Sequence, residues 1–305
     1  MNKILVAASL LAVCIMPASG ALGRNDAGTS SAQFLKLDIG ARAAGMGGAF
    51  AGVSDDSTAM YWNPAGLNRI PGGTVTLMHA AWFEGMSYDW FSFTQEVLNV
   101  GTIGIGAQNM SYGSIKKLDS TGLETGAMNP SDRAVTVSYG NRFLGVPAGI
   151  NVKYISSTID SSASAYAFDF GVMMGLRGDR LMIGAAIQNV GKGLKFVNVE
   201  SPLPMNVKIG GAYNFRKNWL AALDINSPVD SAVSFGAGTE YVHKMHDGLS
   251  FVLRAGYNTR NNDTGGINGI TAGFGVKFSG YSLDYAFVPY GNLGDTNRIS
   301  ISINY

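Results

Sequence analysis

Two clusters of side chains have the chemistry of a metal site or an acid–base site. His243 and His246 stand three residues apart and could supply two metal ligands, while the adjacent acids Asp55 and Asp56 could act as an acid–base pair. The remaining histidine is His79. Two histidines on a predicted exposed turn, without a third ligand, are a weak metal site. We therefore predict no metal and no cofactor, and helix capping explains the two acids more simply.

A glycine-rich run around Gly45, Gly47 and Gly48 suggests a nucleotide-binding loop at first sight. It lacks the preceding strand and the third glycine of a dinucleotide motif, so close backbone packing is the simpler interpretation. The sequence contains no Gly-x-Ser-x-Gly elbow, no His-Glu-x-x-His motif and no P-loop. We predict that the protein is not an enzyme; a hydrolase is the minor alternative.

The composition indicates a partly non-aqueous environment. Charged residues make up 14% of the 305 positions, against roughly 25% in a soluble domain. The single positive charge of Lys3 precedes a 13-residue apolar stretch and then Pro17-Ala18-Ser19-Gly20-Ala21, the pattern of a secretory signal peptide over residues 1–20. An uncleaved anchor helix is the alternative, but the stretch is shorter than the ~20 residues that span a bilayer.

Removal of this segment changes the chemistry available to the mature chain. The only cysteine, Cys14, is lost, so disulfides and thiolate metal sites are excluded. Without Lys3 the chain has 22 − 1 = 21 basic and 21 acidic residues, so no basic excess favours nucleic-acid binding. No later apolar run reaches 18 residues, so any membrane span must be made of strands in a closed sheet.

From Thr74 onward the apolar residues recur with a period of two, which is the period of a β-strand. Ile299, Ile301 and Ile303 alternate with Ser300 and Ser302. Counting such segments predicts fourteen strands, an even number as outer-membrane barrels require. They lie at 74–86, 88–98, 101–112, 133–143, 148–158, 163–175, 181–189, 205–214, 219–226, 231–242, 249–258, 267–278, 281–289 and 298–305.

The connections between these segments alternate in length, as in a membrane barrel. Every second one is a short turn, whereas loops such as 113–132 and 190–204 are longer and more polar. Outer-membrane barrels have short periplasmic turns and longer outer loops, so we predict an all-β, 14-stranded antiparallel transmembrane β-barrel over residues 74–305, with both chain ends periplasmic. A soluble sandwich would need more charge on its second face than the Gly, Ser, Ala and Asn found here.

Aromatic and charged residues complete this picture of a barrel. The predicted interfacial girdle contains Trp82, Tyr88, Tyr112, Tyr139, Tyr257 and Tyr281. The terminal Tyr305 resembles the signal that is read by outer-membrane assembly machinery. On the lumen faces, we expect acids to pair with bases: Asp169, Asp224 and Asp284 with Arg42, Lys153, Lys208 or Arg254.

Residues 21–73 do not alternate and form a separate segment. Asp55 or Asp56 can cap a short helix through Trp62, Pro64 can open a further turn, and Gly66 can end it. The stretch from Gly40 to Gly52 has such small side chains that it must pack closely against another part of the protein.

The string from Phe34 to Phe50, with Asp55-Asp56 and Asn63-Pro64-Ala65-Gly66, closely resembles the PorV/PorQ family within the FadL-like outer-membrane group. The resemblance implies that residues 21–73 fold into the lumen as a partly helical plug, called the hatch below. It also implies that the hatch motif comprises Arg42, Gly45, Gly47, Gly48, Asp55, Asp56, Asn63, Pro64, Ala65 and Gly66. The same residues could instead only fill the lumen and stiffen the barrel.

Two functions follow from the resemblance. PorV-type proteins bind or shuttle exported cargo proteins in type IX secretion, and the polar loop 113–132 favours this reading over capture of a long acyl chain. The alternative is a FadL-like passive transporter of small hydrophobic compounds, with a lateral gap near Pro289. Expected partners are outer-membrane lipid, the barrel-assembly machinery and either secreted cargo or hydrophobic small molecules, without nucleic acid.

Overall fold

The computed structural model describes residues 28–260 and 267–305, so the predicted signal peptide lies outside the described residues. Fourteen antiparallel strands form a closed barrel, which confirms the predicted fold class. Each strand pairs with its neighbours along the chain, and β1 closes the barrel against β18 through the pair Thr74 and Asn304. The barrel strands are β1 Gly73–Ala81, β2 Ser87–Val97, β3 Gly101–Ser111, β6 Ser131–Phe143, β7 Val146–Thr158, β8 Ser162–Leu176, β9 Leu181–Gly191, β12 Asn206–Arg216, β13 Trp219–Pro228, β14 Ser234–Lys244, β15 Ser250–Asn258, β16 Ile270–Phe278, β17 Tyr281–Pro289 and β18 Asp295–Asn304.

Two small hairpins outside the barrel were not predicted. They consist of β4 Ile115–Leu118 with β5 Glu124–Met128, and β10 Leu194–Phe196 with β11 Val199–Ser201. Both lie in the long loops, which we call the loop end of the barrel; the opposite end, with connections of two to five residues, is the turn end. The hairpins were missed because their strands are too short and polar to show a period of two.

Four predicted strand boundaries are wrong by three residues or more. The strands predicted from 231 and 267 begin at Ser234 and Ile270. The other two errors concern the first and the last strand. The first strand ends at Ala81, because Glu84 and Gly85 adopt positive φ values of 50° and 72° in a tight turn. The last strand begins at Asp295, before the predicted residue 298. In both places the local turn decides the strand end, and hydrophobic alternation does not report it.

The two faces of the barrel wall differ as the alternation predicts. On β18, Ile299 and Ile301 are about half exposed on the outer surface, whereas Ser300 is buried against the lumen. Among the described residues, no helix combines the length and apolar character needed to cross a membrane. On β18 the outer face is thus apolar and the lumen face is polar.

The predicted aromatic girdle is correct for some members and wrong for others. Tyr139, Tyr257 and Tyr281 project from the outer surface. Tyr88 points inward, is fully buried and donates to Gln108 Oε1 at 3.2 Å. Tyr112 is half-buried and donates to Asp132 Oδ2 at 2.6 Å. Large rings fill the lumen beside β2, so size alone does not reveal the direction of a side chain there.

The hatch crosses the lumen from one end of the barrel to the other. At the loop end, Ser31 N donates to Pro202 O at 2.9 Å, and at the turn end Gly73 N donates to Tyr305 O at 2.9 Å. Between them lie two short helices, α1 Ala41–Ala44 and α2 Ala59–Trp62, and two 3-10 helices, Gln33–Lys36 and Pro64–Arg69. The first described residues thus lie at the loop end and Tyr305 at the turn end. Residues 1–27 lie outside the described residues, so the expectation that both chain ends are periplasmic stays a prediction.

Candidate functional site

The candidate site is the contact between the hatch and the barrel wall, where glycines of both partners meet. A Cβ atom added at Gly149, Gly184, Gly238 or Gly256 on the wall would overlap backbone atoms of the hatch. On the hatch side, Gly47 has φ +65°, a conformation that suits glycine, and lies against the backbone of Tyr257. Backbone thus packs against backbone, as the small side chains from Gly40 to Gly52 indicated.

Hydrogen bonds from wall side chains hold the hatch backbone at this contact. Asn258 Nδ2 donates to Gly47 O at 2.7 Å, and Gly47 N donates to Thr271 Oγ1 at 3.0 Å. The amides of Phe50 and Ala51 donate to Asp224 Oδ2 at 2.9 and 2.7 Å. Because hydrogen-bonded groups in the interior cost free energy when they are separated, these bonds stabilise the closed position of the hatch.

Arg42 anchors the turn-end side of the hatch through an ion-pair network. Its guanidinium donates to both Glu240 carboxylate oxygens at 2.8 and 2.9 Å, and also pairs with Asp55 and Asp56 at 2.5 and 3.1 Å. Glu240 accepts in addition from Arg254 Nε at 2.7 Å. Burial lowers the pKa of Arg42, but the carboxylates of Asp55, Glu240 and Asp56 together raise it by more than burial lowers it. The net pKa of Arg42 therefore lies well above the ordinary value.

The lumen acids only partly follow the predicted pairing. Asp169 pairs with Lys153 and Asp284 with Arg254, both at 2.7 Å. Asp224 accepts from the hatch backbone instead of from Lys208. The ammonium group of Lys208 lies over the Trp62 ring, 4.1 Å from its centroid. Asp224 and Lys208 therefore both contact the hatch instead of each other, and strand periodicity does not reveal these contacts.

The predicted hatch motif lies inside the lumen, and most of it is buried. Asn63 Nδ2 donates to Ala51 O and to Val172 O of the wall, at 3.1 and 3.2 Å, while its Oδ1 accepts from Ala65 N at 3.1 Å. Gly45 contacts Gly273 of β16, and Gly48 lies beside Asp38 and Trp62. Asn63 therefore joins two parts of the hatch to the wall.

Local structure around the predicted helix caps differs in detail. Asp56 Oδ1 accepts hydrogen bonds from Thr58 N and Thr58 Oγ1 at 3.0 and 2.5 Å, just before α2. Asp55 instead forms an ion pair with Arg42. Pro64 opens a helical turn as predicted, but Gly66 does not end it, because the turn continues to Arg69. Gly66 instead lies against Ser54, where a side chain would overlap the backbone.

Three other predicted features are placed clearly by the structure. Tyr305 pairs with Gly73 at the turn end, where its backbone helps to close the barrel. His243 and His246 are exposed near the turn between β14 and β15. The lateral gap expected near Pro289 is absent from the described wall: Pro289 is the last residue of β17 and pairs with Asp295.

Two cavities flank the hatch inside the lumen. The cavity at the turn end has a volume of 360 Å³ and contains Arg42, Asp55, Asp56 and Lys277 among its lining residues. The cavity at the loop end has a volume of 150 Å³. The two cavities have no lining residue in common, and residues of the hatch line both of them.

The loop-end cavity combines apolar surface with unpartnered polar groups. Leu35 and Tyr61 contribute apolar surface, and Asn206, Lys208 and Asn226 contribute polar atoms. The Oδ1 atoms of both asparagines are buried and accept no hydrogen bond from a described residue. Lys208 likewise forms no hydrogen bond or ion pair within the described part of the chain, apart from its contacts with aromatic rings. The cavity can therefore both donate to and accept from a bound molecule.

Sequence reasoning identified Lys208 as a lumen-facing base but missed its place in this cavity, and it missed Asn206, Asn226 and Glu240 as site residues. Alternation assigns a face without showing which inward residues meet the hatch. One sequence pattern could have identified the residues on β12: Asn206 and Lys208 stand at intervals of two residues from Gly210, so all three lie on the inward face.

Comparison with known proteins agrees with this architecture. The chain is similar in structure to the toluene transporter TodX of Pseudomonas putida, with a TM-score of 0.58 and 13% identity over 87% of this chain and 96% of that chain. It is also similar to the toluene transporter TbuX of Ralstonia pickettii (TM-score 0.51, 15% identity, 88% and 98% covered). A FadL homologue of Pseudomonas aeruginosa gives a TM-score of 0.54 at 12% identity, with 86% and 97% covered.

At these identities the likeness establishes the fold, which is that of the FadL-like outer-membrane barrels. No curated protein sequence matches the chain. The model of the Uncharacterised protein family (UPF0164) matches residues 9–165, about half of the sequence. The chain therefore belongs to the UPF0164 family and has the barrel fold of the FadL-like hydrocarbon transporters.

Proposed function

We propose that this protein is a passive outer-membrane transporter of small, largely hydrophobic molecules, in which the hatch controls passage. The observation that carries the proposal is the pair of cavities on opposite sides of the hatch. The fold that it shares with toluene transporters supports the same reading. The protein performs no catalysis in this proposal.

The orientation in the membrane follows from the connections. The loop end, with its hairpins, faces the outside, and the turn end faces the periplasm, as in other outer-membrane barrels. A permeating molecule therefore enters at the 150 Å³ cavity and leaves through the 360 Å³ cavity.

The packed contact between hatch and wall means that passage requires the hatch to move. Arg42 and Asn63 join the hatch to two separate parts of the wall, through Glu240 on β14 and Val172 on β8. Both contacts are made of hydrogen bonds, which can exchange with water once the hatch opens. Such bonds allow a closed state that is stable but reversible.

The loop-end cavity indicates the size and chemistry of the permeating molecule. A cavity of about 150 Å³ is large enough for a benzene-sized ligand. Tyr61 offers a ring face, while Lys208 and the free oxygens of Asn206 and Asn226 offer hydrogen bonds to a polar substituent. A single aromatic ring that carries one hydroxyl group satisfies both kinds of surface.

The test is uptake of labelled toluene and p-cresol by bacteria that carry the protein but no other channel of this fold. We expect faster uptake of both compounds than in cells without the protein, with p-cresol favoured. Arg42→Met should increase uptake by loosening the hatch, and the exposed loop variant Lys116→Met serves as its matched control. Equal uptake with and without the protein would refute the proposal.

Cargo attachment of the PorV/PorQ type is the second candidate. Exposed apolar residues on the loop-end hairpins favour it: Leu118, Leu123, Val197 and Val199. Surfaces of this kind, outside the barrel, suit contact with another protein. Purification from the native outer membrane, followed by mass spectrometry, tests this function. Secreted proteins that share a C-terminal domain, and are lost when the hairpins are shortened, would support it over transport.

A further inference from the structure

The outer surface of the barrel carries an unexpected row of polar side chains. His79, Asp89, Asn109 and Arg133 lie directly opposite one another in register on β1, β2, β3 and β6. His79 Nδ1 lies 2.7 Å from Asp89 Oδ1, and Arg133 Nε donates to Asn109 Oδ1 at 3.1 Å. We call these four residues the polar row.

The polar row lies at the loop-end margin of the apolar surface, two residues from the loop-end terminus of each of its four strands. In the described barrel, no other outward position at least two residues inside its strand carries a charged side chain. His79 and Asp89 are 62% and 43% exposed, so they face whatever surrounds the barrel. An arginine that faces lipid costs up to ~2–4 kcal/mol at the membrane midplane and little near the interface.

The apolar band is short on this side of the barrel. On β3, outward apolar residues run from Ile103 to Ala107, whereas on β16 they run along the whole strand from Ile270 to Phe278. With ~3.3 Å per residue and a tilt of ~40°, these segments are about 10 Å and about 20 Å tall. Lipid alone covers the β16 side better than the β3 side, because the apolar band of a barrel is normally ~25 Å tall.

The order of charges along the polar row matches the row of a second copy. Consider a two-fold axis along the membrane normal that passes through Asn109. Because such an axis reverses the row from side to side, Asp89 then lies on the same side of the axis as the partner's Arg133, and Arg133 on the same side as the partner's Asp89. The row runs perpendicular to strands that are tilted by ~40°, so the two charges of each pair differ in height by about 6 Å, a distance that the long arginine side chain can span. An isologous interface requires this kind of self-complementarity. We propose that β1, β2, β3 and β6 form the interface of a homodimer in the membrane.

The surface next to the polar row suits the same partner. A groove of 430 Å³ lies directly beside it, with Leu77, Phe91, Ile299 and Ile301 in its lining. In a dimer, apolar side chains of the second copy fill this groove while the polar row is satisfied across the axis. The charges of Asp89 and Arg133 cancel, so the polar row has no net positive charge that would attract an anionic lipid headgroup. A second copy, which carries both charges, is the more complementary partner.

A single cysteine provides the test, since Cys14 is the only native cysteine and precedes the predicted cleavage site. Asn109→Cys places the thiol at the axis, and we expect disulfide-linked dimers in native membranes, several-fold above the control. The control is Ala255→Cys, an outward position on β15, across the barrel from β3.

Charge exchange then tests the pairing itself, in the Asn109→Cys background. Asp89→Arg and Arg133→Asp should each reduce cross-linking to the control level, and the double variant should restore it. Heat-modifiable migration on gels shows that each variant is a folded barrel. Folded Asn109→Cys protein that stays monomeric, or a double variant without restored cross-linking, would overturn the proposal. So would retention of anionic lipid at this face in a protein that does not cross-link.

Discussion

Glu240 on β14 holds Arg42 of the hatch through two parallel hydrogen bonds, at 2.8 and 2.9 Å. The two side chains are separated by 198 positions in the sequence. Their pairing joins the hatch to the strand of the wall that also contacts Gly47 and Met46. The closed state of the lumen therefore depends on an ionic contact that can be removed without disturbing the strand pairing.

We expect Glu240→Gln to loosen the hatch while leaving the barrel intact. The substitution leaves Arg42 and Arg254 with less negative charge in a buried network, which costs up to about 3 kcal/mol. Hydrogen exchange of the hatch amides, measured by mass spectrometry, should become faster, while exchange in the strands stays unchanged. Glu124→Gln, in an exposed pair with Lys116, should have no effect on either.

Gly256→Ala is expected to prevent normal seating of the hatch. The added methyl group overlaps the backbone of Met46 and Gly47, and overpacking of this kind costs at least ~1–3 kcal/mol. The temperature at which the barrel loses its folded migration on gels should fall. Gly211→Ala is the matched control, because its nearest neighbouring atom is Met182 O at 3.8 Å. A variant Gly256→Ala as stable as this control would contradict the proposed close packing.

Lys208→Met should change which molecules pass without unfolding the protein. Methionine keeps the length of the side chain and its contact with Trp62, but it removes the hydrogen-bond donor from the loop-end cavity. We expect the preference for p-cresol over toluene to fall several-fold in the uptake assay. Lys117→Met, on an exposed hairpin, should leave the preference unchanged. If the Lys208 variant takes up p-cresol and toluene in the same ratio as the wild type, Lys208 does not bind the permeating molecule.

Acid should weaken the loop-end attachment of the hatch. Burial raises the pKa of Asp38, but Arg260, Arg298 and Lys208 lower it more, so its net pKa is below the ordinary 3.8. The carboxylate pairs with Arg260 at 2.8 Å. A depressed pKa means that this stabilisation is complete above the unfolded pKa of ~3.9 and is lost as the pH falls through the lower folded pKa.

Hydrogen exchange of residues near Asp38, measured between pH 5 and pH 3 with correction for intrinsic rates, should therefore show loss of protection toward acid. Asp38→Asn should remove this dependence and show reduced protection at every pH. A wild-type protein with constant protection across that range would show that the pair with Arg260 contributes little.

The barrel could be predicted from the sequence because its signal is local. The alternation of Ile299, Ser300 and Ile301 assigns each side chain to one face, and it also gives the approximate position of each strand, except where a turn sets the strand end. The inward acids Asp169 and Asp284 were paired correctly with bases for the same reason. Each of these inferences needs only residues on one strand or on strands at most two apart, as β7 with β8 and β15 with β17.

The course of the hatch could not be predicted in this way. Short helices with small side chains have no strong period, so nothing local shows that Ser31 lies at the loop end, or that Asp224 accepts from Phe50 and Ala51. Tyr88 was assigned to the outer girdle because aromatic residues near strand ends are typical of a girdle, yet the lumen beside β2 is filled by the rings of Tyr88 and Trp90.

By itself, the sequence determined the closed sheet, the alternation of its two faces and the presence of a glycine-rich segment that packs closely. Only the tertiary structure decided which inward glycines receive the hatch, which carboxylate holds Arg42, and how His79, Asp89, Asn109 and Arg133 align in one row. The physical reason is register: contacts along a strand are set by neighbouring residues, whereas contacts across strands and lumen depend on how the whole barrel closes.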